Sequence, residues 1–115
     1  MLTIPEILAM PVGELPQALC AQGLAPAFVY QTDVLWHPHL HIDHAWALVE
    51  LWDLTIEPSL YAHRGAWWIG KEGVCGCYAA TFGDIPAGIC RAVLLLARQR
   101  ACMFLQEERS NAPRA

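Results

Sequence analysis

Four of the chain's five histidines fall in the run His37-Pro38-His39-Leu40-His41-Ile42-Asp43-His44, directly ahead of Ala45-Trp46. Imidazole titrates near neutrality and serves as metal ligand, proton shuttle or anion partner. If Trp36 to His41 is extended, His37, His39 and His41 point to one side, while His44 falls in the first turn of the following helix. Three readings are open. As a metal site, His39 and His41 with Asp43 or His44 could supply three ligands. As a binding wall, imidazoles beside Trp36 and Tyr30 could stack on a base or receive a phosphate. As a plain polar loop, they need no ligand.

Other chemistry-bearing residues are sparse. Arg91 is placed in the first turns of the last predicted helix, where backbone amides already favour anions, and Arg64 lies in a turn that could approach it. The candidate ligand-binding set is therefore Tyr30, Trp36, His37, His39, His41, Arg64 and Arg91, with no catalytic or metal residue assigned and no cofactor expected. No serine or cysteine sits in a recognisable nucleophile elbow, no glycine-rich phosphate loop appears, and the carboxylates are scattered. These residues point away from an enzyme. The alternative is a metal-binding protein or metal-dependent hydrolase built on the histidine cluster.

Composition narrows the class. The 115 residues make one domain with a single core, 56% apolar and only 16% charged, more apolar than ordinary soluble domains. A membrane span needs roughly 18 consecutive apolar residues, and the longest apolar run, 92–97, is bounded by Arg91 and Arg98. The N-terminus, Met1-Leu2-Thr3-Ile4-Pro5-Glu6, lacks the basic and apolar regions of a signal peptide, so a cytoplasmic protein is expected. Five cysteines (Cys20, Cys75, Cys77, Cys90, Cys102) without Cys-x-x-Cys spacing read as buried thiols. A net charge of -4 with one lysine argues against a phosphate-tracking surface for a nucleic-acid polymer.

The elements that must position the histidines follow from periodicity. A short helical turn over residues 4–10 ends at Pro11 and Gly13, and a second helix over 14–22 stops at Gly23. Residues 24–41 hold Pro26, Pro38 and the run Phe28-Val29-Tyr30 without helical period, which reads as a long loop with room for a short strand. From Ile42 to Trp52, Ile42, Ala45, Trp46, Val49 and Trp52 recur at the spacing of one helix face. Residues 54–63 then alternate as a strand, with Pro58 marking an edge or a bulge. Arg64-Gly65 turns it into a second strand, Ala66 to Gly70, and Lys71-Glu72-Gly73 into a third, 74–82, completing a three-stranded antiparallel meander. Trp67 and Trp68 point to opposite faces of the second strand, so one needs cover from outside the core.

Asp84 fits an N-cap and Pro86 the first turn of a last helix reaching about Glu108. Its apolar residues, Ile89, Val93, Leu94, Leu95, Leu96, Met103, Phe104 and Leu105, cover more than one stripe. One side packs on the sheet, and the excess at 102–105 is a candidate contact with another copy, most simply in a two-fold dimer. The tail 110–115 reads as disordered. The fold class is α+β, with helices packed around the meander. The same helix-meander-helix order occurs in double-stranded RNA-binding modules, but those need lysines at the start of the last helix, where this chain has Ile85-Pro86-Ala87-Gly88.

With these elements in place, the pattern resembles the phage ABA sandwich domain, a family of small bacteriophage and prophage proteins. The matching pieces are 6–13 (Glu-Ile-Leu-Ala-Met-Pro-Val-Gly), Ile42 with Ala45-Trp46-Ala47-Leu48-Val49-Glu50, Trp67-Trp68, and Pro86-Ala87-Gly88-Ile89-Cys90-Arg91-Ala92. The resemblance implies phage origin, residence in the host cytoplasm, and an α/β/α sandwich with core order α-β-β-β-α over 1–109. It carries over no reaction or ligand. The histidine-rich segment stands where the family has a polar, acid-containing one, which places any function particular to this chain in residues 24–44. The expected function is non-enzymatic binding that counteracts a host antiviral factor, by sequestering a small nucleotide signal or blocking a protein.

Overall fold

The computed structural model describes residues 2–32, 35–58, 66–71 and 78–111, with side chains at 2–32, 35–58, 66–71 and 83–99. Thr3 starts α1 (Ile4–Ala9) with a capping box: the Glu6 N–H donates to Thr3 Oγ1 at 3.3 Å, and the Thr3 N–H donates to Glu6 Oε1 at 3.0 Å. These bonds satisfy two donors that a helix start leaves open, and they hold the Glu6 carboxyl below its ordinary range. A 3-10 turn at Val12–Glu14 leads into α2 (Leu15–Ala21).

Gly23 stops α2 because the chain there needs a left-handed residue. At φ 72° it lets the Leu24 N–H reach the Leu19 carbonyl (2.9 Å) and its own N–H reach Cys20 O (3.1 Å), the Schellman closure. Beyond it, Phe28-Val29-Tyr30 is helical: α3 spans Ala27–Gln31. The expected loop with room for a strand is corrected here. Pro26 sets the backbone angle before the helix, and the Tyr30 hydroxyl fixes the turn by donating to Cys20 O at 3.1 Å and accepting the Ala25 N–H at 3.2 Å. Five residues are too few to show a helical period.

Helix α4 runs Ile42–Trp52, as its periodicity predicts, but its buried face is turned. Ala45, Leu48 and Val49 are buried, whereas Ile42 and Trp46 are each 47% exposed. Period alone cannot locate a stripe's centre when apolar residues run on both flanks. The helix ends like α2, with the Leu54 N–H on Val49 O at 3.0 Å, but the left-handed position is Asp53 at φ 54°.

Strands β1 (Thr55–Pro58), β2 (Ala66–Gly70) and β3 (Tyr78–Thr81) lie side by side in that order, both pairs antiparallel. Thr55 faces Gly70 and Pro58 faces Trp67 across the first pair, and Ala66 faces Thr81 across the second. Pro58 thus sits in an edge strand, the place in a sheet that tolerates a residue without an N–H. The joining segments 59–65 and 72–77, with Arg64, Gly65, Glu72, Gly73, Cys75 and Cys77, lie outside the described residues.

A 3-10 turn at Phe82–Asp84 starts α5, which spans Ile85–Asn111 and so continues past Glu108 into Ser110 and Asn111, read from sequence as tail. Residues 112–115 lie outside the described residues. Ala87, Ile89, Cys90, Ala92, Val93, Leu94 and Leu96 are all buried, which one helix face cannot accomplish. The cause is that α5 packs on β2 and β3 and also on α1, α2 and α4. The apolar surplus of its first half is thus used within the chain. The architecture is α+β, with the core gathered around this helix. Among the described residues no helix is long and apolar enough to cross a membrane.

Candidate functional site

The histidines gather around the start of α4, but by a turn and not by an extended strand. The His37 carbonyl accepts the N–H groups of both Leu40 and His41 at 3.1 Å, and Pro38 is fully buried beneath the turn. The rings come together as a result. His37 lies 5.8 Å from His39, 6.4 Å from His41 and 6.4 Å from His44, and His41 lies 5.2 Å from His44, centroid to centroid. The His37–His44 pair is stacked, with 16° between planes.

His44 organises this cluster. Its carbonyl accepts the Trp36 indole Nε1–H at 3.1 Å, and its Nδ1 accepts the His37 backbone N–H at 2.9 Å. A neutral ring with Nδ1 as acceptor carries its proton on Nε2. His44 is absent from the ligand-binding set read from sequence. The available signal was its position three residues after His41, the N-cap of α4, where a side chain can reach back across the helix start as glutamate does in a capping box.

The His41 side chain at the N-cap makes no capping bond to α4, and the first amide donors and the positive end of the helix dipole lie at the cluster. Asp43, exposed in the first turn, offsets part of that potential. His39 is partly buried, and its Nδ1 is wholly so, without a hydrogen-bond partner. Burial first, then the neighbouring His37 and His41, keeps its imidazole below the ordinary histidine range and therefore neutral at pH 7.

The remaining candidates fare differently. Trp36 is 7% exposed and belongs to the core, so its ring is not free to stack on a base. Arg91 is 8% exposed, with Nη1 donating to Ile7 O at 2.6 Å and Nη2 to Met10 O at 2.8 Å. Its charge answers the carbonyl end of α1, not an anion. Tyr30 keeps an exposed ring, but its hydroxyl is committed to the turn between α2 and α3. Arg64 lies outside the described residues. The structure therefore brings together His37, His39, His41 and His44 and separates Arg91 from any such site.

Among the described residues no three or more His, Cys, Asp or Glu side chains are arranged to hold one metal ion. Cys90 is buried in the core, which pushes its thiol up to about 12 and leaves it unreactive at neutral pH. Cys20 is a half-buried free thiol; Cys75, Cys77 and the Cys102 side chain lie outside the described residues. Trp67 and Trp68 are both half-buried, so neither strand face leaves an indole bare. In comparisons with protein families, characterised proteins and solved structures, nothing matches the chain.

Proposed function

We propose that this chain is a small non-enzymatic binding protein that takes a compact anionic, nucleotide-like ligand at the start of α4. The observation that carries this reading is four imidazoles, with neighbouring rings 5.2 to 6.4 Å apart, around a helix N-terminus whose N-cap side chain makes no capping bond. Backbone donors and the helix dipole favour a phosphate there, and imidazole edges supply N–H donors and flat faces for a base.

The same proposal includes the phage ABA sandwich resemblance, with its strand meander and α/β/α layering. What supports it is the antiparallel strand order and the burial of both Ala66 and Ile69, which point to opposite faces of β2. Phage origin and residence in the host cytoplasm are what that resemblance implies, and action against a host defence signal is the role we propose for the binding. A two-fold dimer through the second half of α5 belongs to it as well.

Calorimetry against a panel of cyclic and linear nucleotides is the test. Saturable binding that is lost when His37 and His41 are both changed to alanine is expected. A flat response across the panel, or binding indifferent to the double substitution, overturns the reading. A second occupant, a host protein, is favoured by the exposed Leu35, Leu40, Ile42 and Trp46 in the same stretch of chain.

A further inference from the structure

The seam between residues 35–41 and α4 depends on the protonation state of one ring. Of the two bonds His44 accepts, the one from the Trp36 indole ends on a carbonyl and is indifferent to pH. The bond from the His37 amide ends on Nδ1. An imidazolium carries N–H on both nitrogens and has no acceptor left. A proton on His44 Nδ1 therefore sets one N–H against another.

The neighbours add to this cost. His44 lies stacked on His37 and edge-on to His41, and His37 in turn meets His39 and His41. Each further proton places like charges 5 to 7 Å apart (roughly the centroid spacings), where repulsion is appreciable. Among the described residues, counter-charge is scarce. On α4 itself, Asp43 is the acid of the first turn, while Glu50 and Asp53 lie at the opposite end. On α5, the helix packed against α4, Arg91 and Arg98 reach instead to the Ile7, Met10 and Leu2 carbonyls, and Asp84 precedes the helix.

We infer that residues 35–41 form an acid-released latch on α4: protonation of His44 breaks its bond to the His37 amide, and charge on the neighbouring imidazoles drives the segment off the helix start, uncovering Trp36. The buried, unpartnered Nδ1 of His39 works in the same direction, because opening of the segment gives it the solvent partner it lacks in the closed state. The latch needs no ligand, so it stands or falls separately from the binding function.

Amide hydrogen exchange on the full chain tests it, with protection corrected for the intrinsic pH dependence of exchange. Each proton taken up on opening lowers protection of the His37 amide by about tenfold per pH unit once the pH is below the value at which a released, solvated imidazole titrates. The expected result is such a fall between about pH 7.5 and about pH 5.5 while the α5 amides at 89–96 keep theirs. His44→Asn, whose amide oxygen can take the place of Nδ1 and does not titrate, should flatten the response. Constant wild-type protection, an unflattened variant, or simultaneous loss in α5 overturns the latch. If the variant does not fold, the wild-type chain decides by nuclear magnetic resonance: the His44 ring titration and the loss of the His37 amide must share a midpoint, and separate midpoints refute the mechanism.

Discussion

Arg91 donates from Nη1 to the carbonyl of Ile7 at 2.6 Å, joining the middle of the core to the end of the first helix across 84 residues of sequence. Its second nitrogen holds Met10 O, so one buried cation closes the carbonyl end of α1. Seven residues further along α5, Arg98 Nη1 holds Leu2 O at 3.1 Å. The N-terminal segment is thus fastened at both ends by side chains from the last helix.

Arg91→Ala should lower stability by about 3 kcal/mol, since hydrogen bonds from a charged donor are worth roughly 1.5 to 3 kcal/mol each and the carbonyls are left unpaired. Arg91→Lys should recover only part, because an ammonium lacks the fork that spans two acceptors. Urea denaturation measures both. A loss within about 0.5 kcal/mol for alanine, the scale of ordinary surface changes, would show that the clamp contributes nothing.

Asp53 occupies the left-handed position after α4 at φ 54°, where glycine is free of strain, and its carboxylate sits at the negative end of the helix dipole. Asp53→Gly should raise stability by about 0.5 to 1 kcal/mol, and Asp53→Val should lower it. An unchanged denaturation midpoint for both would contradict this account of the cap.

The folded chain keeps His39 below its unfolded value of 6.5, by burial first and then by its neighbours His37 and His41. The unfolded state therefore binds more protons as pH drops through that region, so this contribution to stability is fully present above 6.5 and is lost as pH falls toward the lower folded value. His39→Gln should flatten the decline in melting temperature between about pH 7 and about pH 5. A variant that declines as steeply as the parent removes His39 as the source.

The apolar residues at 87–96 of α5 are already used by α1, α2, α4 and the sheet, so the dimer proposal rests on residues 102–105, whose side chains lie outside the described residues. Light scattering should show a dimer at micromolar concentration, split by Phe104→Glu, since an unpaired carboxylate buried at a contact costs on the order of 3 to 5 kcal/mol. A monomeric parent chain would end the dimer proposal.

The sequence by itself determined what short-range physics governs. Gly23 ends α2, the spacing from Ile42 to Trp52 makes α4, Ala66 to Gly70 makes β2, and Pro58 lands in an edge strand, because each follows from backbone freedom, capping or period within a few residues. Tertiary structure decided which faces are used. Ile42 and Trp46 share the helical spacing yet stay half exposed, since α4 presents the flank of Ala45 and Leu48 to the core. Arg91 turned from a candidate anion ligand into a clamp because α1 ends beside it. The four histidines form a cluster through the reach of His44 Nδ1 to the amide of His37, a contact set by how the turn at 38–40 lies on α4, and no period along the chain encodes that placement.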